Sequence, residues 1–430
     1  MIIGRNEREM IVSRSKAKFI CIIFTLLFLS WIIAQHTSDP YIYALIDIVW
    51  CGVMAIYIVV QTSSFNMSQD GKLIVLAGFL VRIGLAWWGT YGTGSLAVWL
   101  QAGDQGAFLD VAMQYYSGDF SENVTRYPYV LCAIFQIMGP NRIMPQMLNI
   151  LCWFLGIQIL LGVTNGLHGR MKILVLLFYT FLPYALLIST QVMRESAINL
   201  FSMLCFFFLL EWMKSGEKKH LIIMFAISLF PILLHTGNIA LLIAAFLIYI
   251  QWDCETGRWR KSGLRWLILF SCFLIAIPLY ESISTFFPME YLPGKISLET
   301  ITGKYFESGR SDYVSSVAVH TIGEFIFWSI YRMIYFWISP TPRFWNSSVD
   351  IIGFLFDSVP MFFIFIQIFK NIRREKRYSK SLAGLYILLA YTIIYAWGTA
   401  NAGTAMRHRD QFLGIMVMSV LVGAKGNEYE

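Results

Sequence analysis

Charge is what this chain has least of. Asp, Glu, Lys and Arg make up 14% of its 430 residues and hydrophobic residues 57%, whereas soluble domains carry about 25% charged residues. With a mean hydropathy of +0.61, that balance excludes a water-soluble globular class. The seven cysteines (21, 51, 132, 152, 205, 254, 272) lie mostly inside apolar runs. They are odd in number and lack metal-type spacing, so they read as small core residues. There is no P-loop, no zinc-type HExxH and no paired CxxC. Gly89, Gly92 and Gly94 follow no strand, so they carry no dinucleotide signal. Neither a 20–50-residue repeat nor an inverted pair of broken helices of the transporter kind is visible.

What the chain has instead is apolar runs, recurring along its length. Each run of roughly 17–25 residues is enough to cross about 30 Å of hydrocarbon. A helix satisfies its own backbone hydrogen bonds there, and no long alternating period suggests a barrel. The expected class is therefore all-α and polytopic, a single membrane domain over 1–430. About twelve spans are predicted, near 19–35, 42–61, 73–89, 143–164, 172–190, 195–213, 221–235, 238–252, 266–281, 351–370, 381–398 and 410–424. The basic start followed by Phe19 to Ala34 looks like a signal peptide. Further spans follow it and no clear small-x-small cleavage site does, so it reads as an uncleaved first helix.

The net charge of +7 is topological rather than a cue for nucleic acid. With the N-terminus inside, the inner segments hold five basic residues in 1–18, then Lys72, Arg170 and Lys172, and Lys214, Lys218 and Lys219. Next come Arg258, Arg260, Lys261 and Arg265, six more in 370–380, and Lys425, in all 22 of the 33 Lys and Arg. A single threading puts every basic linker on one side. It makes both termini cytoplasmic; the expected location is the plasma (inner) membrane.

Two apolar stretches are left over. Tyr127 to Gly139 is too short to span and is interrupted by Pro128 and Pro140. Phe325 to Ile338 carries Arg332 and ends at Pro340 and Pro342. Both are expected to lie in the outer interface or dip into it. Two large loops, about 90–142 and 282–350, then dominate the outer face. Asp47 and Arg82 fall inside the second and third spans, where a neutralising pair is the expected arrangement.

Five polar clusters reach the outer face in this threading. They are Asp104 with Asp110; Met193-Arg194-Glu195; His235-Thr-Gly-Asn238; Glu307 to Tyr313, containing Arg310; and Asn401 to Gln411, containing Arg407, His408 and Arg409. Outer loops are poor in Lys and Arg, yet two arginines flank a histidine at this last membrane edge. Arg is the planar donor suited to phosphate; the alternatives are snorkelling, or pairing with acids such as Asp410. Asp104 is a solvated loop residue, the cap of a helix over 105–116, or a general base. Arg194 and Glu195 either pair with each other or bind substrate, and His235 either completes a turn or contacts substrate. Arg310 is placed to meet an anionic group.

Gly103-Asp-Gln-Gly-Ala-Phe, Tyr127-Pro-Tyr129, Gly139-Pro-Asn141, Pro145-Gln-Met-Leu-Asn149, Met193-Arg-Glu195 and Gly403-Thr-Ala-Met-Arg-His-Arg409 together resemble the GT-C superfamily of integral-membrane glycosyltransferases. The nearest likeness is to members found with bacterial surface-polysaccharide genes. The resemblance implies transfer of a sugar from a polyprenyl-phosphate-linked donor to a lipid-linked or glycan acceptor, in contact with the bilayer and with no nucleic acid. It gives Asp104 the role of base and has Arg407 or Arg409 steady the leaving phosphate. A divalent metal ion is a possible cofactor, although no dedicated ligand set appears. In this chain the acidic loop follows the third span rather than the first, and Asp104 is followed by Gln105 rather than a second acid. A lipid-linked polysaccharide polymerase or ligase, and a lipid-linked glycan flippase, are the alternative functions.

Overall fold

The computed structural model describes residues 23–37, 39–101, 103–120, 126–164, 166–260, 322–399 and 401–423. The elements are helical apart from one two-stranded hairpin. In chain order they are α1 (Ile23–His36), α2 (Pro40–Ser64), α3 (Gln69–Tyr91), α4 (Ser95–Gln101), α5 (Gln105–Tyr116), α6 (Tyr127–Met138), α7 (Ile143–Thr164), α8 (Arg170–Phe181) and α9 (Pro183–Ile188). After these come α10 (Glu195–Ser215), α11 (Lys218–Leu234), α12 (Ile239–Gln251), the hairpin Trp252–Asp253 with Arg258–Trp259, and α13 (Ile322–Ile338). The chain then forms α14 (Ser348–Gly353), α15 (Val359–Glu375), α16 (Ser381–Trp397), α17 (Ala402–Asp410) and α18 (Leu413–Gly423).

Among the described residues, five segments are long and apolar enough to cross a membrane: Tyr41–Ser64, Gln69–Tyr91, Ile143–Thr164, Glu195–Ser215 and Ser348–Tyr378. Shorter apolar helices occupy most of the other predicted spans. One predicted span is broken. The run 172–190 stops at Phe181 because Leu182 is extended before Pro183, as the residue before a proline tends to be. The run 410–424 is occupied by α18, with α17 ending at Asp410 just before it. The expected span 266–281 lies outside the described residues.

The chain forms two compact units. Residues to 61, 83–151 and 190–193 make the first; residues 62–82, 152–189 and those from 194 onward make the second. In the first unit α5 and α6 pack side by side through aromatic rings. Tyr115 stacks on Tyr129 at 4.5 Å and on Phe120 at 5.2 Å, and Phe108 meets Tyr127 edge-on. Segment 190–193 is pinned by buried amides. Asn149 donates to the carbonyls of Gln191 and Met193, and Gln105 donates to Leu100 O while accepting from Val192 N–H. Asp47 accepts from the Tyr91 hydroxyl at 2.8 Å.

The second unit is organised around α18. Every residue of Leu413–Gly423 is buried except Val422, as expected of a helix apolar all round. Its neighbours approach closely through small residues. A Cβ on Gly414 would lie 2.2 Å from Met203, and one on Gly384 would lie 1.7 Å from Ser419 Oγ. Antiparallel helices give this unit two chemically different ends. The α10–α11 hairpin turns at Gly216, with φ +72, which puts Lys214 and Lys218 at one end. Arg194 and His235 sit at the other, roughly 30 Å away over the 21 residues of α10. α16 runs in the matching sense, from Lys380 to Trp397 and on toward α17. Arg332 of α13 is buried at that second end. It lies over the Trp397 ring, 4.6 Å from the centroid, and donates to Trp397 O at 3.3 Å.

Candidate anion-binding site

The cluster is built where α10, α11, α16 and α17 end together. α10 begins at Arg194-Glu195, so the positive pole of the helix faces this region. Glu195 is fully buried, and its carboxylate forms an ion pair with Arg407 of α17, Nε to Oε1 3.3 Å. Arg194 instead donates Nη1 to Leu234 O at 2.8 Å, holding the last turn of α11. The expected alternative of an Arg194–Glu195 pair is thus replaced: the acid belongs with Arg407, and Arg194 ties two helices.

His235 caps α11 and opens the turn into α12. Its ring stacks on Tyr395 with centroids 5.1 Å apart and meets the His408 ring edge-on at 5.3 Å. The Tyr395 hydroxyl lies 3.1 Å from His235 Nδ1 and donates to Gln411 Oε1 at 2.7 Å. His408 Nδ1 is 3.0 Å from Thr399 Oγ1. Neither imidazole carries charge at neutral pH. Burial, then the Arg194 and Arg407 guanidiniums, push His235 down to about 3. Burial holds His408 well below the usual histidine range.

Arg409, expected beside Arg407, is used otherwise. It is fully buried and donates to the carbonyls of Trp337 and Ser339 and to Ser358 Oγ. Those contacts clamp the end of α13 to the start of α15. These bonds turn Arg409 toward the α13 end and away from the Arg407–Glu195 pair. Asp410 lies one turn from Arg407 and is also buried. Burial, with Glu195 and Asp357 as neighbours, raises it to about 8 against the opposing pull of Arg82. Arg82 and Asp410, with Ser189, Ser196 and Asn199, line a cavity with room for about one water molecule. Arg82 also donates to Ser189 Oγ at 2.8 Å and lies over Trp153, 4.0 Å from the ring centroid. It and Asp47 therefore find separate partners, each in its own unit, in place of the expected pair.

Three of the five predicted clusters, those of Arg194-Glu195, His235 and Arg407-His408, meet here. Asp104 and Asp110 belong to the first unit. Both are exposed, and Asp104 precedes α5 without a side-chain cap bond, so capping does not account for it. Asp110 opposes the burial-driven lowering of Arg142. Arg310 lies outside the described residues. Sequence reasoning missed Asp357, whose carboxylate accepts from Tyr184 N–H at 3.0 Å, and Tyr395. An acid within an apolar run is a signal that points to the first; a tyrosine in an apolar helix carries none. Among the described residues no group of three or more His, Cys, Asp or Glu is arranged to hold a metal ion. Comparison with protein-family models, with curated proteins and with solved structures returns no match.

Proposed function

We propose that this protein is a membrane glycosyltransferase of GT-C type. It moves a sugar from a polyprenyl-phosphate-linked donor to an acceptor hydroxyl at the outer face of the plasma membrane during cell-surface polysaccharide assembly. The observation that carries the reading is the Arg407–Glu195 pair with Arg194 and two neutral imidazoles, at the end of the second unit away from its Lys-rich turns. Two guanidiniums beside a helix N-terminus, in a partly desolvated setting, suit a phosphate better than a neutral ligand. In this scheme Arg407 and Arg194 stabilise the charge that develops on the leaving polyprenyl phosphate. Asp104 removes the proton from the acceptor hydroxyl as that oxygen attacks the anomeric carbon. Its exposure suits a residue that meets substrate.

The test is transfer of a labelled sugar from a polyprenyl-phosphate donor in membranes containing the full chain. Asp104→Asn is expected to lower transfer by about 10²–10⁴-fold with insertion and melting unchanged. Transfer at the wild-type rate would remove Asp104 from the mechanism.

A further inference from the structure

The turn between α11 and α12 decides which nitrogen of His235 carries the proton. The Gly237 backbone N–H donates to His235 Nδ1 at 3.2 Å. A backbone N–H is a donor only and cannot rotate away, so a proton on Nδ1 would face another proton. The Tyr395 hydroxyl near the same nitrogen turns freely and has Gln411 Oε1 as a second acceptor. Nδ1 is therefore the bare nitrogen, and the proton sits on Nε2. Gly237 is held in place: a Cβ there would lie 2.8 Å from the Tyr395 ring. Asn238, fully buried, binds Pro231 O and His235 O and closes the turn. Nε2–H finds no acceptor among the described residues.

We propose that His235 Nε2–H is a neutral, tautomer-locked hydrogen-bond donor to a phosphoryl-type oxyanion held beside Arg194 and Arg407. The proposal rests on the phosphate reading above and goes beyond it by giving His235 a fixed role: it binds and does not transfer a proton. Around the ring stand Arg194 and Glu195 from α10, Tyr395 from α16, and Arg407 and His408 from α17. The two guanidiniums oppose a third positive charge on the ring, and His408 is itself uncharged. An incoming anion meets two charged donors and one neutral donor, all fixed before it arrives.

Two measurements on the full chain in nanodiscs test this. The first is the ¹⁵N spectrum of the histidine-labelled protein, with His235 assigned through His235→Gln. A neutral ring protonated at Nε2, unchanged between pH 5.5 and 7, is expected. A ring protonated at Nδ1, or one that gains charge in that interval, overturns the proposal. The second is binding of sulfate, whose charge is constant over this range, and of a polyprenyl phosphate. His235→Gln, which keeps an N–H donor, should stay within about threefold of wild type. His235→Phe should weaken binding several-fold to about tenfold, the loss of one hydrogen bond. Equal affinity for both variants, or affinity rising as pH falls from 7 to 5.5, overturns it. Competition by inorganic phosphate against the polyprenyl phosphate assigns recognition to the headgroup alone; its failure assigns it to delivery from the bilayer. Sugar transfer separates the two readings. Transfer by a protein with Nδ1 protonated would leave the enzyme assignment standing and the donor role refuted, and oxyanion binding without transfer the reverse.

Discussion

Removing the cation from the Arg407–Glu195 pair should expose how the cluster is held. Glu195 is fully buried, and the Arg407 guanidinium is its ion-pair partner at 3.3 Å. At that distance, with an effective dielectric constant of about 20, the gross attraction is about 5 kcal/mol. Desolvation of both groups offsets much of it, so the pair is weak evidence of net stability. Breaking it is another matter, because one charge stays buried alone, at a cost of about 3–5 kcal/mol. Arg407→Met leaves that carboxylate beside Asp410, a second buried acid already raised to about 8. Glu195→Gln should cost less, since it also relieves Asp410. The double variant Arg407→Met/Glu195→Gln should lose far less than the sum of the singles, a coupling of about 2–3 kcal/mol. Reversible unfolding in detergent, followed by tryptophan fluorescence, gives all four corners of the cycle. Additive losses would refute the reasoning.

Arg409→Ala should destabilise the protein by about 3 kcal/mol or more, since two buried carbonyls and a hydroxyl lose their donor. A melting temperature within a degree or two of wild type would contradict its structural role. The buried histidines and Asp410 should pull the pH dependence of stability in opposite directions. His235, at about 3 folded against 6.5 free, binds fewer protons folded than unfolded, so stability rises with pH between those values, and His408 acts in the same direction. Asp410, at about 8 against 3.8, binds more protons folded; its contribution is complete at acid pH and is lost as pH climbs to about 8. Melting temperatures from pH 4 to 9 should show the Asp410 contribution directly: between pH 6.5 and 8 the loss of stability should be smaller in Asp410→Asn than in wild type. An equal loss in the two proteins would contradict the assignment.

The membrane character was legible because hydrocarbon leaves so few options. A run such as Ile143–Thr164, mostly apolar and without a charged residue, is helical at the boundaries its composition implies, and the Lys-rich turn after α10 falls where the basic linker does. Legibility failed where an apolar run is not one helix. Hydropathy averages over Leu182-Pro183 and does not register that an extended residue there ends α8. It averages equally over Asp357, so an acid that holds Tyr184 N–H passes as part of a span. Aromatic residues such as Tyr395 look like lipid-facing bulk in a hydropathy profile. Only the fold reveals that its hydroxyl reaches Gln411.

The two arginines of α17 show how local structure separates residues that composition groups together. Taken as a loop, 401–411 offers Arg407 and Arg409 as one phosphate clamp. The segment is a helix: Asn401 Oδ1 caps Thr404 N–H at 2.8 Å, and nine residues follow in regular turns. Residues two apart on a helix lie about 200° around its axis, so they cannot face the same ligand. Arg407 and Asp410, three apart, share a face with the Glu195 side of the cluster. Arg409 points the other way, into the backbone carbonyls of the α13 end. An Asn followed three residues later by a helix-compatible run is a start signal visible in the sequence. Applied there, it would have divided the pair before any coordinates. In the proposed scheme the one guanidinium that α17 turns toward Glu195 is therefore joined by Arg194, from the head of α10.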